Sequence, residues 1–417
     1  MVRPGSPLAV AAVLVALSAI LPAQSIESES THAISTPYGA ATVRTGLVTL
    51  PGEPSHSRRF VLRYPATGPH WNGVLVIGAH GGSGGPLVDA EGAVVSTSET
   101  ALDDLVAEHV LNQGAAYASF DRDGIGGTRE GLALTYAFSE LARTWVETAF
   151  ERLPARTYLV GFSMGGGITR FAAEDPRRAF DGVLIIAGAH GDIAGGLERQ
   201  ARRARLWAAI DPLRHPDVPD DDPAVLAYAL AVGTEAAARP FWPFTAAAAS
   251  AESVQRALAS YGLEDLSPED ALAFSLDAYR EHPAFANRLA DEDTTGLVLV
   301  PTIEVVGTHD DLVRPEVVAY KRKVEAQSTS GAASEQSRHR LYQVAGAWHI
   351  SGDDDAIGAF QYRARQAGLE GTAAAMGAAP SFIPTVHEAF DLLHRWVADG
   401  RPPPLDRTVA PGRRLAF

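Results

Sequence analysis

The stretch TYLVGFSMGGGITRFAAE, residues 157–174, decides the fold. Its first six residues are an uncharged run rich in apolar side chains, the pattern of a strand buried on both faces, and MGGGITRFAAE reads as a helix. Between them, Gly161-Phe162-Ser163-Met164-Gly165 fits the pattern G-x-S-x-G. A serine on so sharp a strand-to-helix turn is forced into strained backbone angles and lifts its hydroxyl above the end of the sheet. Glycines two positions before and after it let strand and helix close around it. Gly81-Gly82-Ser83-Gly84-Gly85 fits the same pattern, but Ser83 runs into Gly-Gly-Pro and opens no helix, so Ser163 is the candidate nucleophile.

Working outward, strand-like runs fall at 41–50, 59–64, 74–79, 115–120, 157–162, 182–187, 302–306 and 340–344. Helical patterns lie between most of them, at 99–112, 136–152, 164–174 and 315–326. Such alternation predicts a mostly parallel α/β sheet of eight strands flanked by helices. A final helix spans about 384–398, where Val386, Phe390, Leu393 and Val397 form one apolar stripe. Residues 192–296 break the alternation with Ala-rich helical pattern and prolines, and are expected to be a helical insertion after the sixth strand. The core is then 41–191 with 297–400, residues 26–40 read as a flexible Ser/Thr/Glu-rich leader, and 401–417 as an irregular tail.

Composition narrows the function. The 417 residues carry 35 basic and 50 acidic side chains, a formal charge of −15, which speaks against a nucleic-acid partner or a polybasic membrane anchor. There is no cysteine, which excludes disulfides, thiolate metal sites and a cysteine nucleophile. Arg3, the apolar stretch from Leu8 to Leu21 and then Pro22-Ala23-Gln24-Ser25 form the pattern of a secretory signal peptide over 1–25, cleaved after Ala23 or Ser25. A stretch of fourteen residues, all apolar but Ser18, is too short for a stable membrane span, so a secreted or periplasmic protein with no stable membrane insertion is expected. The runs Asp220–Asp222 and Asp353–Asp355 have no metal-ligand spacing after them and read as solvated turns; no metal or organic cofactor is expected.

A serine needs a base, and the base needs an acid to orient it. Gly307-Thr308-His309-Asp310 follows the run TIEVV, which puts Asp310 at the carboxyl end of a strand. Gly346-Ala347-Trp348-His349 follows RLYQV and delivers His349 on the next such loop. Ligands of open α/β sheets bind at that edge, where the three side chains can converge. Asp311 is the adjacent rival acid and Asp192 a remoter one. His309 reads as a loop cap, and His387 and His394 as packed or surface residues of the last helix. His80-Gly81-Gly82-Ser83 follows GVLVIGA, so the amides of Gly82 or Ser83, with that of Met164, are candidate donors to an oxyanion.

The order Ser163, Asp310, His349, with the HGG loop and GFSMGG, resembles the α/β-hydrolase superfamily. The ending from Arg395 to Pro403 looks like the terminal helix of secreted esterases of the tannase and feruloyl type, and GFSMGGG resembles secreted polyester hydrolases. The resemblance implies that nucleophile, acid and base fall on those three positions and that the insertion forms a lid. It implies an exported carboxylic ester hydrolase working through an acyl-enzyme, on a small-molecule or polymeric ester. A prolyl-type peptidase and a non-catalytic binding protein on the same scaffold are the alternatives. Arg122, Trp242 in the aromatic segment 238–244, and Trp348 are candidate substrate contacts; the tryptophans also read as packing residues and Arg122 as part of a structural ion pair.

Overall fold

The computed structural model describes residues 25–36, 39–51, 56–66, 70–82, 86–123, 128–210, 218–327, 337–350 and 356–415. The apolar N-terminal stretch, Ser83 and Asp353–Asp355 lie outside them.

Among the described residues twelve strands form: β1 (Ser25–Thr36), β2 (Gly39–Thr49), β3 (Ser57–Pro65), β4 (Val74–Ala79), β5 (Leu87–Val88), β6 (Val94–Ser96), β7 (Ala116–Phe120), β8 (Arg156–Phe162), β9 (Gly182–Ile186), β10 (Thr302–Gly307), β11 (His339–Val344) and β12 (Arg407–Val409). Ten of them make one sheet in the order β1-β2-β3-β7-β4-β8-β9-β10-β11-β12; β5 and β6 form a separate small hairpin. From β7 to β12 every neighbouring pair is parallel, while β1, β2 and β3 run antiparallel at one edge. The central strands β4, β7, β8 and β9 are buried along nearly their whole length because helices cover both faces.

The helices are α1 (Glu108–Asn112), α2 (Thr128–Phe150), α3 (Met164–Glu174), α4 (Ile193–Ala209), α5 (Pro223–Val232), α6 (Trp242–Ala248), α7 (Ala251–Ser260), α8 (Pro268–Leu272), α9 (Leu276–Tyr279), α10 (Pro283–Glu292), α11 (Arg314–Ala326), α12 (Ile357–Gln366), α13 (Glu370–Ala378) and α14 (Ile383–Asp399). Helices α4 to α10 make up the insertion, and its described residues include no strand. They bury a small core of their own around Leu197, Val254, Leu258, Phe274 and Phe285.

Two expectations need correction, and the sheet has ten strands where eight were expected. Most of the segment expected to be a flexible leader is a strand: Ser25–Thr36 pairs with β2 along its length, and Arg44 holds Glu29 through two hydrogen bonds of 2.7 and 2.9 Å. An edge strand wet on both faces has no apolar alternation, so its composition imitates a linker. The tail is not irregular throughout, since Arg407–Val409 adds to β11 in parallel. It is fastened by Asp406, which accepts from the Leu341 amide at 2.8 Å, and by Leu415, which is fully buried.

Candidate active site

The turn between β8 and α3 is built around Ser163, which has φ +52° and ψ −119° and stands at the N-cap of the helix. A non-glycine residue there is strained, and the surroundings hold it in place. The Ser163 amide donates to the Ile186 carbonyl at 3.0 Å, and its own carbonyl accepts from Ala189 at 2.8 Å. Tight contact explains the glycines. A Cβ on Gly161 would collide with the Thr169 hydroxyl and the Gly165 carbonyl, and one on Gly165 would collide with the carbonyls of Ala79 and His80.

Ser163, His349 and Asp310 converge at the carboxyl edge of the sheet. The Ser163 hydroxyl lies 3.0 Å from His349 Nε2, and His349 Nδ1 lies 2.8 Å from Asp310 Oδ2. Asp310 is 1% exposed, and its Oδ1 accepts from the amides of Leu312 and Val313 at 3.1 and 3.2 Å, so both oxygens are held. Asp311 faces the other way, toward Thr245 and Trp348. Asp192 caps α4 and pairs with Arg199 at 3.0 Å. His394 bonds the Tyr158 hydroxyl at 2.9 Å and His387 stacks on His109, both away from the site.

The HGG loop after β4 lies against Ser163. A Cβ on Gly81 would come within 3.1 Å of the Ser163 Cβ, and one on Gly82 within 3.5 Å of the Met164 sulfur. The Met164 amide begins α3, where the first N–H groups of a helix have no intrahelical acceptor. Gly82 lines the same cavity as Ser163, whereas Ser83 is outside the described residues. His80 locks the loop. Its Nδ1–H donates to the Gly81 carbonyl and its Nε2 accepts from the Arg122 amide, each at 2.8 Å. Burial, and then the Arg122 cation, push the imidazole pKa down to about 3, so it is the neutral ring that this donor–acceptor pattern requires.

This arrangement corrects Arg122. Its guanidinium donates to the His80 carbonyl and is buried, so it braces the loop and does not line the cavity. His80, Asp121 and Asp123 stand close enough together to suggest a metal cluster. His80 Nε2 accepts from the Arg122 amide, Asp121 Oδ2 from Arg59 at 3.2 Å and Asp123 Oδ2 from the Ser98 hydroxyl at 2.9 Å, while Asp123 Oδ1 is buried without a partner among the described residues.

A cavity of about 310 Å³ opens over Ser163 and His349. Leu87, Phe162, Leu312, Ile350 and Phe360 give it a mostly apolar wall, with Ser96–Ser98 and Arg363 as polar points. Neither predicted tryptophan reaches it. Trp242 is fully buried inside the insertion, with its ring 4.7 Å from that of Tyr228. Trp348 is also fully buried, lying flat on Phe241 at 5.0 Å. The walls that sequence reading missed come from the β5–β6 hairpin and from α12, where Phe360 and Arg363 share a face at a spacing of three. Among the described residues none of the insertion lines this cavity; helices α4, α6 and α7 border a second one, of about 330 Å³, beyond Met164.

Residues 265–411 match the family described as "Alpha/beta hydrolase domain", a segment that contains both the Asp310 and the His349 loops. No curated protein matches the chain in sequence. Among solved structures, an esterase from Aspergillus oryzae aligns at a TM-score of 0.52 and 13% identity, over 92% of this chain and 88% of that one. Feruloyl esterase B from Aspergillus oryzae aligns at 0.50 and 14%, over 91% and 88%. Tannin acyl hydrolase from Aspergillus niger aligns at 0.50 and 12%, over 92% and 85%. The chain has an α/β-hydrolase fold.

Proposed function

We propose that this α/β-hydrolase is an exported carboxylic ester hydrolase that works through an acyl-enzyme on Ser163. The observation that carries the reading is the bridging imidazole of His349, 3.0 Å from the Ser163 hydroxyl and 2.8 Å from the Asp310 carboxylate. In this reading His349 Nε2 takes the hydroxyl proton as Ser163 Oγ attacks the ester carbonyl. The negative charge passes to the former carbonyl oxygen, where the amides of Met164 and the Gly82 region stabilise it, each by about 3–4 kcal/mol. Collapse of the adduct breaks the bond to the alkoxy oxygen, which leaves as the alcohol with the proton from His349. Water then enters, gives a proton to His349 and releases the acid, and Ser163 recovers its hydrogen. Asp310 keeps the Nδ1 proton in place and balances the imidazolium.

The solved structures named as esterases support an ester substrate over an amide. A cavity of about 310 Å³ with a mostly apolar wall suits a small acyl group. Export rests on the basic start and apolar stretch of residues 1–25. No helix of the described residues is long and apolar enough to cross a membrane.

Hydrolysis of p-nitrophenyl acetate and butyrate tests the assignment. Ser163→Ala is expected to abolish turnover and fluorophosphonate labelling while the circular-dichroism spectrum and melting temperature stay near wild type. Retained turnover in that variant would refute it.

A further inference from the structure

Two consecutive carboxylates on the loop after β10 face opposite ways. Asp310 turns to His349. Asp311 accepts from the Thr245 hydroxyl of α6 at 2.5 Å and from the Trp348 indole N–H at 3.3 Å, and its carbonyl accepts from the Arg203 guanidinium of α4. All four residues are buried: Asp311 and Thr245 are 1% exposed, Trp348 0% and Arg203 7%. Trp348 immediately precedes His349, and its ring lies flat on Phe241 of the insertion. The insertion thus grips the residue after the acid and the residue before the base, although none of its described residues lines the catalytic cavity.

Building on the reading of Ser163, His349 and Asp310 as a triad, we propose that Asp311 is a positioning residue for ester hydrolysis. It ties the acid loop and the base loop to each other and to helices α4 and α6, and so fixes the angle at which the imidazole meets Ser163. A carboxylate buried this deeply is costly unless donors meet its oxygens. Here the donors come from two separate segments, so satisfying the charge also fastens those segments together. Because Asp310 and Asp311 are neighbours in the chain, a shift of one displaces the other. A displacement of 1 Å at a reacting group costs about 100-fold in rate. In this arrangement the insertion is part of the catalytic frame, not an independent cover.

The test is Asp311→Asn, which keeps the shape and one acceptor oxygen but loses the charge. For p-nitrophenyl acetate, kcat is expected to fall by about 10–100-fold with KM changed by less than about threefold, and labelling of Ser163 by a fluorophosphonate should slow in parallel. In a His349→Ala background the same substitution should cost less than about twofold of the residual rate, because the imidazole whose angle Asp311 fixes is already gone. A merely structural role predicts either full kcat per folded molecule or an equal loss in both backgrounds, and either result overturns the proposal. Thr245→Val, which keeps both carboxylates, covers the case of an unfolded Asp311 variant: its kcat should fall by about 3–10-fold, and full kcat again overturns the proposal. Wild type and Ser163→Ala, assayed alongside, report separately on the triad reading.

Discussion

His349 Nδ1 stands 2.8 Å from Asp310 Oδ2, although Asp311 is the very next residue and is equally buried. The backbone decides between them: Asp310 Oδ1 takes the amides of Leu312 and Val313, which turns its other oxygen to the imidazole. Asp310→Asn should therefore lower kcat on the order of 10⁴-fold with little change in KM, because an amide cannot hold the required tautomer. Steady-state kinetics on both single variants would show it. A larger loss from Asp311→Asn than from Asp310→Asn would reverse the assignment of the acid.

The turn that carries Ser163 is equally demanding at Gly165. An added methyl there meets the main-chain carbonyls of Ala79 and His80, which cannot rotate away as a side chain would. Gly165→Ala should push α3 off the HGG loop, lowering the melting temperature and reducing kcat by about 100-fold or more. Gly371→Ala is the control, because nothing lies within 4 Å of the added carbon and the position is inside α13. It should raise stability by about 0.5–1 kcal/mol and leave kcat unchanged. Equal behaviour of the two variants in thermal melts would contradict this account.

What the sequence revealed and what it hid follow from the range of the forces involved. Ser163, Asp310 and His349 were legible because each follows a short buried strand, and a parallel sheet brings the carboxyl ends of its strands to one rim. β1 was hidden because a strand exposed on both faces carries no hydrophobic period. Leu87 and Phe360 reach the cavity from the hairpin and from α12, a tertiary placement that local pattern does not encode. Arg122 and Trp242 could not be assigned between substrate contact and packing for a related reason: a cation or an indole near the rim looks available to substrate until the packing around it is known.

Behind α3, the helix that follows Ser163, lies a buried ion pair. Arg170 of α3 donates to Glu304 of β10, whose other oxygen lies 3.2 Å from His339 Nε2, and all three side chains are fully buried. Arg170 also donates to the Gly188 carbonyl at 3.0 Å and stands over the Tyr320 ring at 4.9 Å. Glu304→Gln leaves the guanidinium charge without its counterion and should cost about 3–5 kcal/mol. Replacing both partners with apolar residues, as in Arg170→Met with Glu304→Leu, should recover much of that loss. Urea denaturation of the three variants decides the matter; a double variant less stable than the single one would refute the argument.

The histidine of the HGG loop gives a pH dependence whose sign can be worked out. In the unfolded chain its imidazole titrates near 6.5, while in the fold burial and the Arg122 cation hold it down to about 3. Between those values the unfolded state binds a proton that the native state refuses, so stability falls as pH drops through the window, by roughly 1.4 kcal/mol per unit at most. His190, brought to about 4 by burial and by Arg170, adds in the same direction. His80→Gln removes one of these groups. Its unfolding free energy should lie below wild type at pH 7.5 and approach the wild-type curve as the pH is lowered to 4.5. Parallel curves from urea titrations across that range would mean that His80 takes up its proton in the fold. A neutral His80 also keeps its bonds to Gly81 and Arg122 throughout the window, so the loop that carries them should hold its shape there.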